Sequence, residues 1–352
     1  MQLKPDSRSS RGRAAPTSTP QISETTIAAF QRGDHDAFAA ISRHHQRELR
    51  IHCYRMVGSL DEAEDLVQET FLRAWRRRDT YERRATIRAW LYRIATNACI
   101  DAIRKRPTHG ARIGSPDVTP DTHVPWMQPV PDAWLDTPAS EEPPDAHLVT
   151  RESIELAFLL TLQLLPAKQR AVLLLRDVLD FSAAETARLL DDTAAAVNSA
   201  LQRARATLRR RRPAPGESPR PVDVAFEEAV FLQAFMDAQQ RGDVHAIVDM
   251  LRDDVRMTLF PDCVSWNGCT EVAAEFDKLS NTFGDARSVA VAANRQPAVA
   301  VYRRGTGEAE YRAWAIVLLG VAAGKLREIA TFASPALFAR FNLPATLPEG
   351  ES

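Results

Sequence analysis

The chain has 352 residues, 45% of them hydrophobic, and a formal net charge of −1. That length exceeds one compact core and predicts two or three domains, while the near-zero charge conceals arginine clusters that a polyanion would meet: RRR at 76–78, ERR at 82–84, RKR at 104–106 and RRRR at 209–212. Four scattered cysteines without a CxxC pair argue against a disulfide framework or a zinc site, and no apolar run reaches the ~18 residues of a membrane span, so a reduced, cytoplasmic protein without a membrane partner is predicted.

Residues 1–22 lack the apolar stretch of a signal peptide and read as a disordered arm. From Ile22 to Arg106 the pattern is helical, broken at Gly33, Gly58 and Asp79–Thr80. The RGD triplets at 32–34 and 241–243 each read as a turn between two helices. In SLDEAEDLVQETFLRAW, Ser59 to Trp75, the residues Ala63, Leu66, Val67, Thr70, Phe71 and Ala74 recur at helical spacing and form the burying face. Ser59 and Glu62 predict a capping box at its start. The other side carries Glu64, Asp65, Gln68, Glu69 and Leu72, an acidic stripe with an exposed leucine in a basic neighbourhood.

The next helix, ATIRAWLYRIATNACIDAIRKR from Ala85 to Arg106, has its buried seam at Ile87, Leu91, Ile94, Ala98 and Ala102. Arg88, Trp90, Tyr92, Arg93, Asn97 and Arg104 remain for other faces. Rings interleaved with arginines suit unpaired nucleic acid, since rings stack on bases and guanidinium groups hold the backbone. The loop before it, RRRDTYERRAT, offers polar groups to cradle a flipped base. The alternative is that Trp90 and Tyr92 anchor a small core.

Nine prolines between 107 and 146 predict an extended linker over 108–146, in which VPWMQPVPDAWLD exposes Trp126, Met127 and Trp134. Residues 147–212 return to helical patterning. Ser182 with Glu185 is a capping-box signal, Asp191–Asp192 ends that helix, and Thr193 caps the next. The last helix has a seam at Val197, Leu201, Ala204 and Leu208, and shows Asn198, Ser199, Gln202 and Arg203 opposite. This is a helix-turn-helix pattern, with side chains able to pair with base edges. Arg205 and the run at 209–212 are suited to phosphates. PAPGESPRP, 213–221, is a second linker, and 344–352 a tail. Between them, 222–343 predicts helices near 223–240, 243–251 and 271–283, then four strands, ARSVAVAAN, PAVAVYRR, EYRAWAIVLLGV and KLREIATFA.

These blocks, SLDEAEDLVQETFLRAW, WLYRIATNACIDAIRKR and LPAKQRAVLLLRDVLDFSAAETARLLDDTAAAVNSALQRARATL, resemble regions two and four of the sigma-70 family, specifically an extracytoplasmic-function (ECF) sigma factor. The resemblance implies a multidomain protein with two all-α modules, region 2 at 23–107 and region 4 at 147–212. It implies core RNA polymerase and promoter DNA as partners. Asp65, Gln68, Glu69 and Leu72 would dock on the β′ clamp helices, region 4 would meet the β flap, helix 85–106 would read and open the −10 element, and the helix after Thr193 would read the −35 element. The linker would thread the polymerase cleft. Asn198 and Ala200 stand where the family commonly has basic residues, and the linker is longer than usual for the class.

Residues 222–343 resemble the SnoaL-like, NTF2-like α+β cone. That resemblance implies a small-molecule pocket, for which Asp262, Trp266, Asn294, Gln296, Tyr302 and Trp314 are the candidates, with Asp262 as an acid–base group if the domain were catalytic. No second catalytic group is visible, so a regulatory domain without cofactor or metal is expected, with a small-molecule ligand or an anti-sigma factor as further partners. The rival readings are a ligand-sensing helix-turn-helix regulator and a cyclase- or isomerase-type enzyme with a DNA-binding front; the 59–106 module speaks against the first.

Overall fold

The computed structural model describes residues 22–106, 124–135, 155–211, 224–283, 285–305 and 307–348. The predicted arm, the linker at 213–221 and most of the linker at 108–146 lie outside the described residues. The first module holds α1 (Glu24–Gln31), α2 (His35–Val57), α3 (Leu60–Arg76) and α4 (Ile87–Lys105). Ser23, Asp34, Ser59 and Thr86 cap the four starts, each side-chain oxygen accepting an amide three residues on. Gly33 and Gly58 supply the left-handed φ of +90° and +77° that stops the preceding helix. The capping box predicted at Ser59 is half formed. Ser59 accepts from the Glu62 amide, but the Glu62 carboxylate turns away to Arg106.

The second module holds α5 (Leu156–Gln163), α6 (Ala167–Leu173) continued by a π turn over Leu174–Val178, α7 (Ala183–Leu190) and α8 (Ala194–Arg211). The Ser182–Glu185 capping box is complete, Asp191 ends α7 at φ 51°, and Thr193 Oγ1 accepts from the Ala196 amide at 3.1 Å. The C-terminal unit begins with α9 (Val224–Gln240), α10 (Val244–Asp249) and, after two strands, α11 (Cys269–Phe283). At both RGD turns the aspartate, Asp34 and Asp243, caps the helix that follows.

The sheet has seven strands where four were predicted. β3 (Asp285–Ala293), β4 (Gln296–Arg304), β5 (Tyr311–Ala322) and β6 (Lys325–Phe332) are the predicted antiparallel meander. To it are added β1 (Leu251–Phe260), β2 (Val264–Asn267) and the short β7 (Thr346–Leu347), in the order β2-β1-β6-β5-β4-β3 with β7 on β5. β1 lies parallel to β6, Met257 opposite Ile329. The unit closes with α12 (Leu337–Arg340). Helices cover one face of the sheet, where Phe235, Ile247, Met257, Val299, Val301, Val317 and Ile329 form their own core. The other face, with Ala298, Ala300, Tyr302, Ile316, Leu318 and Phe332, joins the core of both helical modules.

One buried cation locks the second module to the first. Arg170 is 2% exposed. Its guanidinium donates to the carbonyl of Met56, to Gln163 Oε1 (2.6 Å) and carbonyl (2.8 Å), and to the Leu165 carbonyl (3.1 Å). Arg106 donates to the Val57 carbonyl at 2.8 Å. Two guanidinium groups thus sit on the last carbonyls of α2, the end of a helix that favours cations. Burial pushes Arg170 down to about 9, so it stays charged at neutral pH.

His52 lies in the same interior, 1% exposed, with Nε2 2.9 Å from Thr96 Oγ1 and its ring edge-on to Tyr92 at 5.0 Å. Burial, helped by the Arg55 charge, pushes it down to about 3, against about 6.5 in an unfolded chain. Between those values only the unfolded state takes up the proton, so the stability present above pH 6.5 is lost as the pH falls. Denaturant unfolding should show a loss between pH 6 and pH 4 that is larger, by about 2.5 kcal/mol, than in His52→Gln; equal losses would show that His52 is not held neutral.

Candidate functional site

On α3 the predicted burying residues Ala63, Leu66, Val67, Thr70 and Ala74 are in the core, and Phe71 is half-buried, edge-on to Phe38. Asp65 and Gln68 are exposed, and Leu72 is 50% exposed. Glu69 takes a 2.7 Å hydrogen bond from Arg73 Nε, which holds its carboxyl below the usual range. The first turn of the helix is contacted by distant parts of the chain. Arg340 of α12 pairs with Asp61 and, at 2.8 Å, with Glu64. Gln128 Oε1 accepts from the Leu60 amide at 2.6 Å and from Ser59 Oγ at 3.2 Å.

On α4 the candidates separate. Arg93, Asn97 and Arg104, with Asp101 among them, form one exposed stripe. Tyr92 does not join it. Its side chain is 0% exposed, its hydroxyl donates to Glu48 at 3.2 Å, and its ring meets Phe181 of the second module at 5.7 Å. It is a core residue, because α6 and α7 cover a side of α4 that the helix alone would leave in water. Trp90 is half-buried against Phe30 and Tyr81, nearer to the anchoring alternative than to a stacking platform. Arg88 is tied to Glu48 at 2.8 Å and lies over the rings of Tyr92 and Phe181, at 5.0 and 5.5 Å. In α8, Asn198, Ser199, Gln202 and Arg203 are exposed while Val197, Leu201 and Ala204 are buried. Arg205 is diverted from any phosphate by a two-point pair with Asp177, at 2.7 and 2.9 Å.

The proline-rich segment departs most from expectation. Instead of displaying its apolar residues, 124–135 buries Val124, Met127, Val130 and Leu135 and leaves Trp126 and Trp134 half-buried. The Trp134 ring lies under Arg50 at 4.0 Å, and Tyr54 donates to the Gln128 carbonyl at 2.7 Å. The C-terminal unit holds the same segment from the other side. Asn294, 0% exposed and left-handed at φ 55°, exchanges two hydrogen bonds with Val130, its amide donating to the Val130 carbonyl and its Oδ1 accepting from the Val130 amide, both 2.9 Å. Its Nδ2 donates to Tyr54 Oη at 3.3 Å, and Asp132 accepts the Arg295 amide at 2.8 Å.

Two of the six pocket candidates therefore belong to an interdomain contact, Asn294 and Gln296, which accepts the Leu156 amide at 2.9 Å, while Tyr302, on the same face of the sheet, donates to the Pro344 carbonyl at 3.0 Å within the C-terminal unit. The reason is strand parity. On β4 the even residues face the helical modules, and the odd residues Val299, Val301 and Arg303 face the helices of the C-terminal unit. Asp262 is exposed in the β1–β2 turn and Trp266 is half-buried on β2; neither lines the cavity. Asp262 thus loses the buried setting that an acid–base role requires. A cavity of ≈ 310 Å³ does exist, between sheet and helices, walled by Phe235, Ile247, Met257, Phe276, Val317 and Ile329. Of the six candidates Trp314 lines it, turned inward because it is the extra residue of a bulge opposite Val301 and Tyr302. Sequence reasoning missed Arg303, whose odd position on β4 was the available signal. Among the described residues no group of three or more His, Cys, Asp or Glu is arranged to hold a metal, and no helix is long and apolar enough to cross a membrane.

Family models for sigma-70 region 2 and sigma-70 region 4 match residues 41–107 and 155–208. The chain is 36% identical over 327 residues to the ECF RNA polymerase sigma factor SigG of Mycobacterium tuberculosis, covering 90% of this chain and 86% of that one. It is 33% identical over 193 residues to SigW of Bacillus subtilis, covering 52% of this chain and 93% of the other. The crystal structure of the extracytoplasmic-function sigma factor SigJ of Mycobacterium tuberculosis aligns over 85% of this chain and 97% of its own, with a TM-score of 0.57 and 21% identity, a likeness of fold that extends through the C-terminal unit.

If Asn294 holds the proline-rich segment, Asn294→Gly, which keeps the left-handed backbone but removes the side chain, should cost about 1–3 kcal/mol by stranding the Val130 amide. Hydrogen exchange at the backbone amides of 124–135 should speed up well beyond the global destabilisation; unchanged protection there would show that the turn does not hold it.

Proposed function

The chain belongs to the ECF sigma factors of RNA polymerase, and from that membership we propose that it directs core polymerase to promoters through three faces that its linker and C-terminal unit hold partly closed. The polymerase face is the open part of α3, where Asp65, Gln68, Glu69 and Leu72 give an acidic rim and an apolar anchor for the arginine-rich β′ clamp helices. The −10 face is the stripe Arg93, Asn97 and Arg104 of α4, with Arg88 joining it once the second module moves off, while Trp90 stays against Phe30 and Tyr81. The −35 face is Asn198, Ser199, Gln202 and Arg203 of α8, all exposed and of the kinds that pair with base edges in a major groove. Region 4 would reach the β flap only after leaving α4.

The observation that carries the regulated reading is the placement of Arg340. It pairs with Asp61 and Glu64 on the very helix whose next turn is the polymerase face. The docked segment 124–135 and the buried Arg170 add to the same closed arrangement. The open and closed forms are then an equilibrium, and a small-molecule ligand or an anti-sigma factor acts on it by its difference in affinity for the two. The C-terminal unit in this reading is a regulator and not an enzyme.

Two variants separate docking from closure. Asp65→Arg with Glu69→Arg, both on the surface, should leave the unfolding midpoint unchanged and weaken binding to core polymerase at least tenfold, with a matching loss of run-off transcripts; wild-type binding removes the docking assignment. Arg340→Glu should strengthen polymerase binding about two- to tenfold, the reach of one or two surface ion pairs. Weaker binding by Arg340→Glu would mean that Arg340 helps polymerase and does not compete with it.

A further inference from the structure

The cavity of the C-terminal unit has a chemistry of its own, distinct from the interdomain contact on the far face of the sheet. Its body is apolar and ring-rich: Phe235 from α9, Ile247 from α10, Phe276 and Leu279 from α11, Met257, Val317 and Ile329 from the strands. Into this wall the end of β4 sends Arg303, with its Cζ 3.5 Å from the centroid of the Trp314 ring. This contact holds the guanidinium against the ring by cation–π attraction, on a side chain whose planar fork of N–H donors suits a carboxylate. Asp285 is the carboxylate on the cavity wall, and it pairs with Arg304 at 2.7 Å, its partner across the β3–β4 ladder. The remaining polar lining, Gln239, Gln240, Ser280 and Thr331, is uncharged, and Arg241 adds a second positive charge at the exposed end of α9.

From this arrangement we propose that the cavity is a binding site for a compact aromatic carboxylate, its ring system among Phe235, Phe276 and Trp314 and its carboxylate on Arg303. A planar guanidinium fork is the side chain best matched to a carboxylate's two oxygens. A volume of ≈ 310 Å³ is at the lower end for small-ligand pockets, which favours one or two fused rings over a longer chain. Burial pushes Arg303 down to about 10, so at neutral pH it still carries the charge that selects an anion over a neutral or cationic analogue. Binding here deepens the regulatory reading, in which the same unit closes the sigma modules, but does not depend on it: a chain that never meets polymerase can still fill this cavity.

The test is calorimetric titration of the full-length chain at pH 7 with three probes of one shape: 2-naphthoate, 2-naphthol and 2-naphthylmethylammonium. Naphthoate should bind at least tenfold more tightly than naphthol, and the ammonium should bind weakest. Arg303→Met should bring naphthoate down to the affinity of naphthol and leave naphthol unchanged, while Arg303→Lys keeps a preference of intermediate size. Ile329→Trp, which fills the cavity from the neighbouring strand β6, should weaken all three. The preference among probes is read on the unmodified protein, so it holds even if a variant folds poorly. Naphthol binding as tightly as naphthoate, no measurable binding of naphthoate up to millimolar concentration, or an undiminished preference in folded Arg303→Met would each overturn the assignment. Loss of polymerase binding in the α3 double variant with naphthoate binding intact would leave this site standing and confine the failure to the docking face.

Discussion

The closed form turns on a guanidinium group where no water reaches it. Stripping Arg170 of its hydration costs several kcal/mol, and nothing apolar could offset that. Four oxygen acceptors do so, from two modules: the carbonyl at the end of α2, and the side chain and carbonyls around α5. Because one of the four acceptors, the Met56 carbonyl, belongs to the first module and three to the second, the modules cannot separate by sliding without stranding part of the guanidinium. They part only if Arg170 leaves one set of acceptors and finds water. The position of α6 and α7 against α4 follows from this, and so does the burial of Tyr92 and the capture of Arg88 over Phe181.

What was legible in the sequence was whatever a segment decides by itself. Helix breaks at Gly33 and Gly58, caps at Ser59, Ser182 and Thr193, the seam of α8 and its polar opposite face, and the four-stranded meander all rest on contacts within a few residues or on one solvated side. What failed depended on distant partners. β1 went unread because its start, LRDDV, carries charges in place of alternation and its ladder partner β6 lies far along the chain in parallel. The segment 124–135 reads as extended, with its apolar residues displayed, because prolines conceal periodicity, yet those residues find hosts on α2 and on the β3–β4 turn. Placing Tyr92 on a nucleic-acid face supposes that a helix has one buried side. Residue type alone points to the pocket candidates and lacks the parity that sends Tyr302 one way and Arg303 the other.

That parity gives the C-terminal unit its character. A single strand, β4, contributes Val299, Val301 and Arg303 to the cavity side and Ala298, Ala300 and Tyr302 to the side that faces the sigma modules. The sheet is one residue thick, so a molecule that reshapes the cavity wall presses on the backbone that also carries Asn294 at the strand's preceding turn. No chain of intermediaries is needed for the two faces to influence each other.

Gln128 has a consequence for whatever opens the protein. Its Oε1 stands at the entrance to α3, where a helix presents amides with no acceptor of their own. Ser59 accepts the Glu62 amide and leaves the Leu60 amide to the linker. A partner that lifts residues 124–135 away therefore uncovers a small positive socket at the mouth of its own landing site, and the surface that does so most cheaply is one that brings an oxygen to fill it.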